Sequence, residues 1–222
     1  MFQGLAFNPF TLPPEAEALR ADVRKFLTES LDPTSLPNSD FNAGDSSDFS
    51  KALGKRGWIG MTWPKQYGGQ EKSFLERYVV TEELLAAGAP VGCHWIADRQ
   101  TGPLLLKFGT ERQRKEFLPK IASGDCYFSI GMSEPNTGSD LASIKSMAKK
   151  VEGGWLLNGS KIWTSYAHTN HFMVALIRTE PASENRHAGM SQVIVDLKDE
   201  NVTINGIKNL SGEEDFNQVF FD

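Results

Sequence analysis

Residues 128–140 read Phe-Ser-Ile-Gly-Met-Ser-Glu-Pro-Asn-Thr-Gly-Ser-Asp, and this stretch separates two kinds of sequence. Before it, apolar residues recur at helical spacing, and after it short β-forming runs alternate with turn residues. Within it, the apolar Ile130 and Met132 are followed by glycine, hydroxyl and amide residues. Because glycine lets the backbone come close to a ligand, such a stretch could present N–H groups and hydroxyls to one. Composition alone favours a simpler interpretation, a loop with a helix cap, since these residue types form turns in any protein.

Length and composition suit one large or two modest domains, with 222 residues, 40% of them hydrophobic, and a net charge of -5. The mild acidity and the lack of a basic patch argue against nucleic-acid binding. No run approaches the roughly 18 apolar residues of a membrane span, and no signal peptide is recognisable. Cys93 and Cys126 form neither a CxxC motif nor a disulfide framework, so we expect a cytoplasmic protein. The four histidines show no metal-ligand pattern, so we predict no metal site.

The first part of the chain combines loops with helical patterns. Residues 1–12 are expected to be a loose arm, and a helix is predicted to start at Pro13-Pro14 and to stop before Pro33. Residues 32–47 read as an exposed loop. Residues 58–69 hold two tryptophans and several glycines, so we predict a structured loop whose aromatic side chains pack against the helices.

Further helices are predicted up to Gly124. One lies around residues 48–56, and an apolar helix or pair of helices covers 92–107 with an interruption at Gly102-Pro103. Two helix starts are marked by capping boxes, Ser73 with Glu76 and Thr110 with Gln113. We therefore predict an N-terminal domain over residues 1–125 that is a bundle of about five helices.

After residue 140 the hydrophobic period changes to that of strands. Glu152-Gly153-Gly154 and Asn158-Gly159 are both predicted to be hairpin turns. Strands are expected on either side of these turns and over 172–178, 193–197, 202–204 and 218–221. Residues 179–189 read as a long mobile loop. The predicted fold class is α+β in sequence-separate domains, with a small antiparallel β-barrel or sandwich over residues 126–222.

Separate motifs in the expected order resemble the acyl-CoA dehydrogenases. Met132–Asp140 resembles the first signature of that family, and Asn158–Ser165 resembles the segment that completes its flavin site. Trp63–Gly69 matches as well, and so does Gly102-Pro103 followed by the Phe108-Gly109-Thr110-Glu111 and Phe117-Leu118-Pro119 stretches. The resemblance covers residues 13–222. The stretch 131–135 looks more like bacterial members that act on varied acyl-CoA thioesters than like the mitochondrial fatty-acid enzymes.

The resemblance implies a set of FAD-binding residues: Ile130, Met132, Ser133, Gly138, Ser139, Trp163, Thr164 and Ser165. In the family, backbone groups at the first two positions meet the flavin ring, and the hydroxyl at Ser133 hydrogen-bonds it. Gly138 and Ser139 match the segment near the FAD pyrophosphate, where Ser139 also lies near the substrate thioester. Trp163 matches the aromatic side chain packed on the flavin, and Ser165 matches the hydroxyl at flavin N5.

Simpler interpretations remain open for several of these residues. Ser133 could be a capping hydroxyl, and Trp163 could be a core tryptophan on a strand. Glu134, Pro135 and Asp140 are expected to shape the turn. In particular, we expect Glu134 to point into the turn and not to act as a base.

The implied reaction is α,β-dehydrogenation of an acyl-CoA thioester in lipid metabolism, with hydride transfer to FAD and electron-transfer flavoprotein as the electron acceptor. In the family, the carboxylate base belongs to a C-terminal helical domain that also builds the dimer or tetramer, and no such domain is expected within these 222 residues. We therefore expect no catalytic residue here, weak FAD binding and no activity of the chain alone. The alternatives are an acyl-CoA oxidase or flavin monooxygenase on the same scaffold, and a non-catalytic binding or assembly fragment.

Overall fold

The structure is a computed structural model that describes residues 11–32, 44–181 and 183–221. The predicted arm over residues 1–12 and the predicted loop over 32–47 lie largely outside the described residues. The described part begins with six α-helices: α1 (Pro14–Ser30), α2 (Ser47–Lys55), α3 (Phe74–Ala86), α4 (Gly92–Ile96), α5 (Gly102–Phe108) and α6 (Glu111–Ala122). Both predicted capping boxes are confirmed, because side chain and backbone bond reciprocally at Ser73–Glu76 and at Thr110–Gln113.

Helix α4 continues into α5 through a π-helical segment, Ala97–Thr101. The predicted interruption at Gly102-Pro103 is therefore wrong, since the chain stays helical through this point. Proline lacks an N–H group, so Pro103 cannot donate a hydrogen bond to a carbonyl of the preceding turn. The wider π turn, with Gly102 N–H donating to Ala97 O, joins the two helices.

The loop of residues 58–69 packs its aromatic side chains inward, as predicted. Trp58, Trp63 and Tyr67 are all buried, and Lys65–Tyr67 forms a short 3₁₀ turn. The loop thereby joins the hydrophobic core that the helices share.

Seven strands follow: β1 (Phe128–Gly131), β2 (Met147–Val151), β3 (Gly154–Ser165), β4 (Phe172–Arg178), β5 (Met190–Asp196), β6 (Val202–Ile207) and β7 (Phe216–Phe221). The hairpin turn between β2 and β3 is confirmed. The second predicted turn, at Asn158-Gly159, is wrong because β3 runs straight through it. A Cβ on Gly159 would lie 2.5 Å from Ser146 Oγ, so this glycine serves a close approach between segments and not a turn.

The strands form one sheet in the order β1-β4-β2-β3-β7-β6. Strand β5 pairs with β4 along the edge opposite to β1. Most pairings are antiparallel, as predicted, but β4 runs parallel to β1 and, at its end, to β2. The sheet is thus mixed. The hairpin motif could not reveal this, because β1 and β4 meet only after the whole β2–β3 hairpin has intervened.

A group of aromatic rings joins the helices to the sheet. Phe117 of α6 packs edge-on against Phe128 of β1 and Phe172 of β4, with ring centroids 5.5 Å and 5.2 Å away. This shared core brings the helix ends up to the end of β1, where the candidate site lies. Within the described residues, no helix is both long and apolar enough to cross a membrane.

Candidate functional site

The signature loop, residues 132–140, begins where β1 ends and turns back on itself. Glu134 and Thr137 exchange backbone hydrogen bonds of 2.9 and 3.0 Å, and Pro135-Asn136 forms the tip of this turn. The Glu134 carboxylate accepts hydrogen bonds from the backbone N–H groups of Lys145 (2.7 Å) and Ser146 (3.0 Å). The Glu134 carboxylate therefore bonds to residues outside the Glu134–Thr137 turn, which differs from the predicted orientation into the turn, and it holds the loop to the segment that leads into β2.

Strand β3 holds the other side of this loop. The Lys161 ammonium group donates to Glu134 Oε1 at 2.9 Å and to Met132 O at 3.3 Å. The next residue of the strand, Ile162, donates its N–H to Ser133 O at 2.9 Å. These contacts fix Met132 and Ser133 against β3.

The Lys161–Glu134 pair is buried and charged. Burial alone would raise the pKa of Glu134, but hydrogen bonds from the N–H of Lys145 and from Lys161 outweigh it, so that pKa lies below its usual value. Burial lowers the pKa of Lys161, and the neighbouring carboxylate opposes that change. The distance of 2.9 Å between Lys161 Nζ and Glu134 Oε1 is that of a hydrogen-bonded ion pair.

Strand β3 ends in a strained corner. Its pairing with β7 shifts register between Lys161 and Thr164, and Trp163 and Tyr166 both adopt left-handed backbone angles, with φ of 59° and 53°. Such a conformation costs a non-glycine residue roughly 1–2 kcal/mol. The Trp163 side chain is nevertheless 56% exposed, so burial of the indole does not offset this cost. A strained residue with an exposed aromatic face is typical of a ligand site.

Buried polar contacts anchor the end of this corner. Ser129 of β1 donates its hydroxyl to the carbonyl of Ser165 at 2.8 Å. Asn170 in turn donates to the Ser129 hydroxyl at 2.9 Å. The backbone of Ser165 is therefore held in place while its side chain stays partly exposed.

A cavity of about 270 Å³, here called the Trp163 cavity, lies between the helices and this corner. It is lined by five of the predicted FAD-binding residues, namely Ile130, Met132, Ser133, Trp163 and Ser165. Ile162 also lines it. The walls combine apolar side chains with polar groups, and two serines contribute hydroxyl groups.

The other three predicted residues do not line this cavity. Thr164 is fully buried, and its Oγ1 has no hydrogen-bond partner among the described residues. Gly138 is exposed, with no atom within 4 Å of the place where a Cβ would sit. Ser139 lines a second cavity, of about 290 Å³, together with Leu141 and Arg186. Five of the predicted residues thus share the Trp163 cavity, and Thr164, Gly138 and Ser139 lie outside it.

One wall of the Trp163 cavity was not predicted from the sequence, and it is supplied by Trp95, Ile96 and Gln100. These residues belong to α4 and the π-helical segment that follows it. Trp95 also stacks under the guanidinium of Arg99, at 4.2 Å from the ring centroid. No motif marks them, because a π segment inside a helix has no sequence signal comparable to a capping box.

The loop between β4 and β5 contacts the signature loop. Arg186 Nη2 lies 2.8 and 2.7 Å from the two carboxylate oxygens of Asp140 and 2.7 Å from the hydroxyl of Ser143. The hydrogen bond from Ser143, followed by that from Arg186, lowers the pKa of Asp140. Buried Arg178 donates to the carbonyls of Ala142 and Ala188 on either side. These contacts join the two loops, while the predicted mobility of residues 179–189 stays a prediction.

Among the described residues, no group of three or more His, Cys, Asp and Glu side chains could hold a metal ion. His168 and His171 bind separate partners, since the first pairs with Asn217 and the second accepts from the Tyr127 N–H.

Comparison with known families matches most of the chain. Residues 13–125 match the family model described as "Acyl-CoA dehydrogenase, N-terminal domain", and residues 129–222 match "Acyl-CoA dehydrogenase, middle domain". The chain belongs to the acyl-CoA dehydrogenase family. The helical region followed by a curled mixed sheet is the architecture of these two domains in related structures.

Two curated relatives illustrate the similarity. Acyl-CoA dehydrogenase IpdE1 of Mycolicibacterium smegmatis is 35% identical over 232 residues, covering 94% of this chain and 57% of the relative. Acyl-CoA dehydrogenase FadE26 of Mycobacterium tuberculosis is 32% identical over 209 residues, covering 90% and 52%. The chain therefore spans about half the length of these acyl-CoA dehydrogenases.

Two solved structures share the fold closely. The Tcur3481-Tcur3483 steroid ACAD superposes with a TM-score of 0.85 at 34% identity, over 96% of this chain and 55% of that one. The ChsE4-ChsE5 complex from Mycobacterium tuberculosis superposes with a TM-score of 0.84 at 30% identity, over 97% and 55%.

Proposed function

We propose that this chain forms the flavin-binding part of an FAD-dependent acyl-CoA dehydrogenase. The observation that supports the proposal most directly is the Trp163 cavity, because it gathers Ile130, Met132 and Ser133 from one signature with Trp163 and Ser165 from the other. Two motifs that lie about 30 positions apart in sequence thus line the same cavity, as binding of a common ligand would require.

The residues of this cavity fit an isoalloxazine ring, which has flat apolar faces and a polar edge. The exposed indole of Trp163 offers a flat apolar surface, and Trp95 and Ile130 add further apolar walls. The hydroxyls of Ser133 and Ser165 can hydrogen-bond a polar edge. When bound, FAD would supply the acceptor for a hydride from the acyl chain.

In this proposal the chain's own residues orient the cofactor and keep water away from it. Trp163 covers one face of the ring, and Ser133 and Ser165 hold its edge. The exposed Gly138 and Ser139 remain proposed contacts to the pyrophosphate and the thioester. Thr164 contributes through its backbone position at the corner, since its side chain is buried.

The carboxylate base of the reaction is proposed to come from outside the residues described here. None of the described residues that line the Trp163 cavity is acidic. The nearest acid in sequence, Glu134, is occupied by two backbone N–H groups and by Lys161. General-base catalysis typically contributes about 10²–10⁴-fold, so we expect the chain alone to be inactive.

The substrate class proposed is an acyl-CoA thioester, and one structural neighbour, named a steroid ACAD, makes steroid acyl-CoA thioesters worth including in tests. We further propose a cytoplasmic enzyme that passes electrons to electron-transfer flavoprotein and acts as a homo-oligomer, a dimer or tetramer. The neighbour named the ChsE4-ChsE5 complex raises assembly with a different chain as the alternative.

The test begins with FAD binding to this chain, which is monitored by flavin fluorescence during dialysis. We expect weak but measurable binding that Trp163→Ala reduces and that Trp155→Ala, an exposed tryptophan of the same strand, leaves unchanged. Any longer protein that carries the chain should reduce an artificial electron acceptor with an acyl-CoA thioester. Rapid reaction of the reduced protein with oxygen would instead favour the oxidase or monooxygenase alternative. Failure of both forms to bind FAD would refute the proposal and favour a binding or assembly role.

A further inference from the structure

Lys161 differs from every other described lysine, because it alone is buried, with no exposed surface. Taking an ammonium group out of water is costly unless it is paired and hydrogen-bonded. Its partners are the Glu134 carboxylate and the Met132 carbonyl, at 2.9 and 3.3 Å.

Stability by itself does not account for this arrangement. A buried ion pair contributes little net stability relative to well-packed apolar residues of similar volume, because desolvation offsets the attraction. The sequence nevertheless places a charged side chain at the middle of β3, where an apolar residue would continue the core. The buried charge therefore needs an explanation other than stability, and its position relative to the Trp163 cavity supplies one.

The two ends of the pair lie on different sides of the signature loop. The ammonium end contacts the carbonyl of the Met132–Ser133 peptide, and both of these residues line the Trp163 cavity. Glu134 does not line that cavity but a separate one of about 430 Å³, together with Lys145 and Ser146. The pair is thus a fixed dipole whose positive end is directed towards the wall of the Trp163 cavity.

A cation that binds a peptide carbonyl also acts on the N–H of the same peptide. Hydrogen bonding polarises the amide, so its N–H becomes a stronger donor, and the effect is larger where water is excluded. The N–H in question belongs to Ser133, a wall residue of the cavity.

We propose that Lys161 is a positioning and tuning residue of the flavin site: its buried ammonium group polarises the Met132–Ser133 peptide and so favours negative charge on a cofactor in the Trp163 cavity. The inference rests on the proposed function, since it requires that FAD occupies this cavity. A flavin that accepts a hydride gains a negative charge unless a further proton follows. Lys161 therefore stabilises the reduced cofactor relative to the oxidised one and raises its midpoint potential.

The test compares Lys161→Met with Glu134→Gln in the FAD-loaded protein, by reductive titration against a reference dye. Loss of the cation should weaken binding of reduced relative to oxidised FAD about tenfold, which lowers the midpoint potential by ~30 mV for a two-electron couple. Loss of the carboxylate should shift the potential the other way. Lys149→Met, which removes an exposed lysine of β2, is the matched control and should leave the potential unchanged.

A purely structural role would not produce shifts of opposite sign. If Lys161→Met does not fold, the double variant Lys161→Met/Glu134→Gln leaves no unpaired charge and should have a lower potential than Glu134→Gln alone. Shifts in the same direction for both single variants, or no shift in variants that keep stoichiometric FAD, would overturn the inference while leaving the proposed function intact. A wild-type protein that binds no FAD would instead refute the proposed function, and this inference with it.

Discussion

Two tryptophan-containing regions of this chain differ in how far their indole rings are exposed. In the loop of residues 58–69, Trp63 is 2% exposed and its ring fills the space beside Gly102, where a Cβ would lie 2.0 Å from the ring. At the end of β3, Trp163 is 56% exposed on a strained backbone. The aromatic side chains of the first region are buried within the fold, whereas the indole of Trp163 stays exposed. The contrast indicates that the loop contributes stability, whereas the β3 corner is the part that we propose binds the cofactor.

The largest expected effect is a difference in how much the two tryptophans contribute to the stability of the fold. Trp63→Ala should lower the free energy of unfolding by about 3–5 kcal/mol, because it empties a fully packed site. Trp163→Ala is the matched comparison and should cost no more than about 1 kcal/mol, since its ring is already largely in water. Urea denaturation of both variants measures this. Equal losses would mean that the exposed ring of Trp163 packs within the fold.

A pair of glycines tests the same contrast through backbone space. Gly102→Ala would drive a methyl group into the Trp63 ring and should cost about 1–3 kcal/mol by overpacking. Gly138→Ala in the signature loop meets no atom within 4 Å and should change stability by less than about 0.5 kcal/mol. Thermal unfolding of the two variants provides the measurement, and a neutral Gly102→Ala would show that the loop can yield.

The stability of the helical region should also depend on pH. His94 is buried, its Nδ1 lies 2.8 Å from the Ser50 hydroxyl, and burial lowers its pKa to about 3. The folded state thus keeps His94 uncharged, whereas the unfolded chain takes up a proton below its ordinary pKa of about 6.5. Stability should therefore fall as pH drops from 6.5 towards 3, by up to about 1.4 kcal/mol per pH unit.

The variant His94→Asn should remove this part of the pH dependence, because asparagine does not titrate there. Free energies of unfolding measured at several pH values between about 6.5 and 4 give the slope for each protein. An unchanged slope in His94→Asn would mean that another group causes the acid sensitivity of the helical region.

The smallest expected effect on stability is paired with a clear effect on binding. Trp163→Gly relieves the left-handed strain at this position, so the unfolding free energy should stay within about 1 kcal/mol of wild type. FAD affinity should fall about tenfold, since a stacked aromatic face is worth about 0.5–1.5 kcal/mol beyond its buried area. Equilibrium dialysis measures the affinity, and unchanged binding would contradict the proposed packing of the indole on the flavin.

Local signals predicted much of the helical region and the existence of the β-region. Reciprocal capping at Ser73–Glu76 and Thr110–Gln113 depends only on residues three apart, so the sequence contains the whole interaction. The same local reasoning failed at Asn158-Gly159, where a turn dipeptide lies inside a strand. There the close approach of Ser146, a residue from another segment, decides the need for glycine.

The candidate site, too, could be predicted from the sequence only in part. The order of the motifs was enough to indicate the family and to select Ile130, Met132, Ser133, Trp163 and Ser165, which meet in one cavity. It could not indicate the wall formed by Trp95 and Gln100, nor that the Thr164 side chain is buried outside this cavity. Those outcomes depend on how the helices dock against the sheet through Phe117, Phe128 and Phe172, and a motif carries no information about docking.

By itself, then, the sequence determined the element types, the caps, the position of the change from helix to strand and the chemistry available at the signature loop, because each depends on residues close together in the chain. Only the tertiary structure decided that Trp163 stays exposed on a strained backbone, that β1 and β4 pair in parallel, and that a lysine on β3 reaches the Met132 carbonyl. Exposure, strand pairing and buried charge are settled by contacts between distant segments, whose free energies depend on packing and on the exclusion of water.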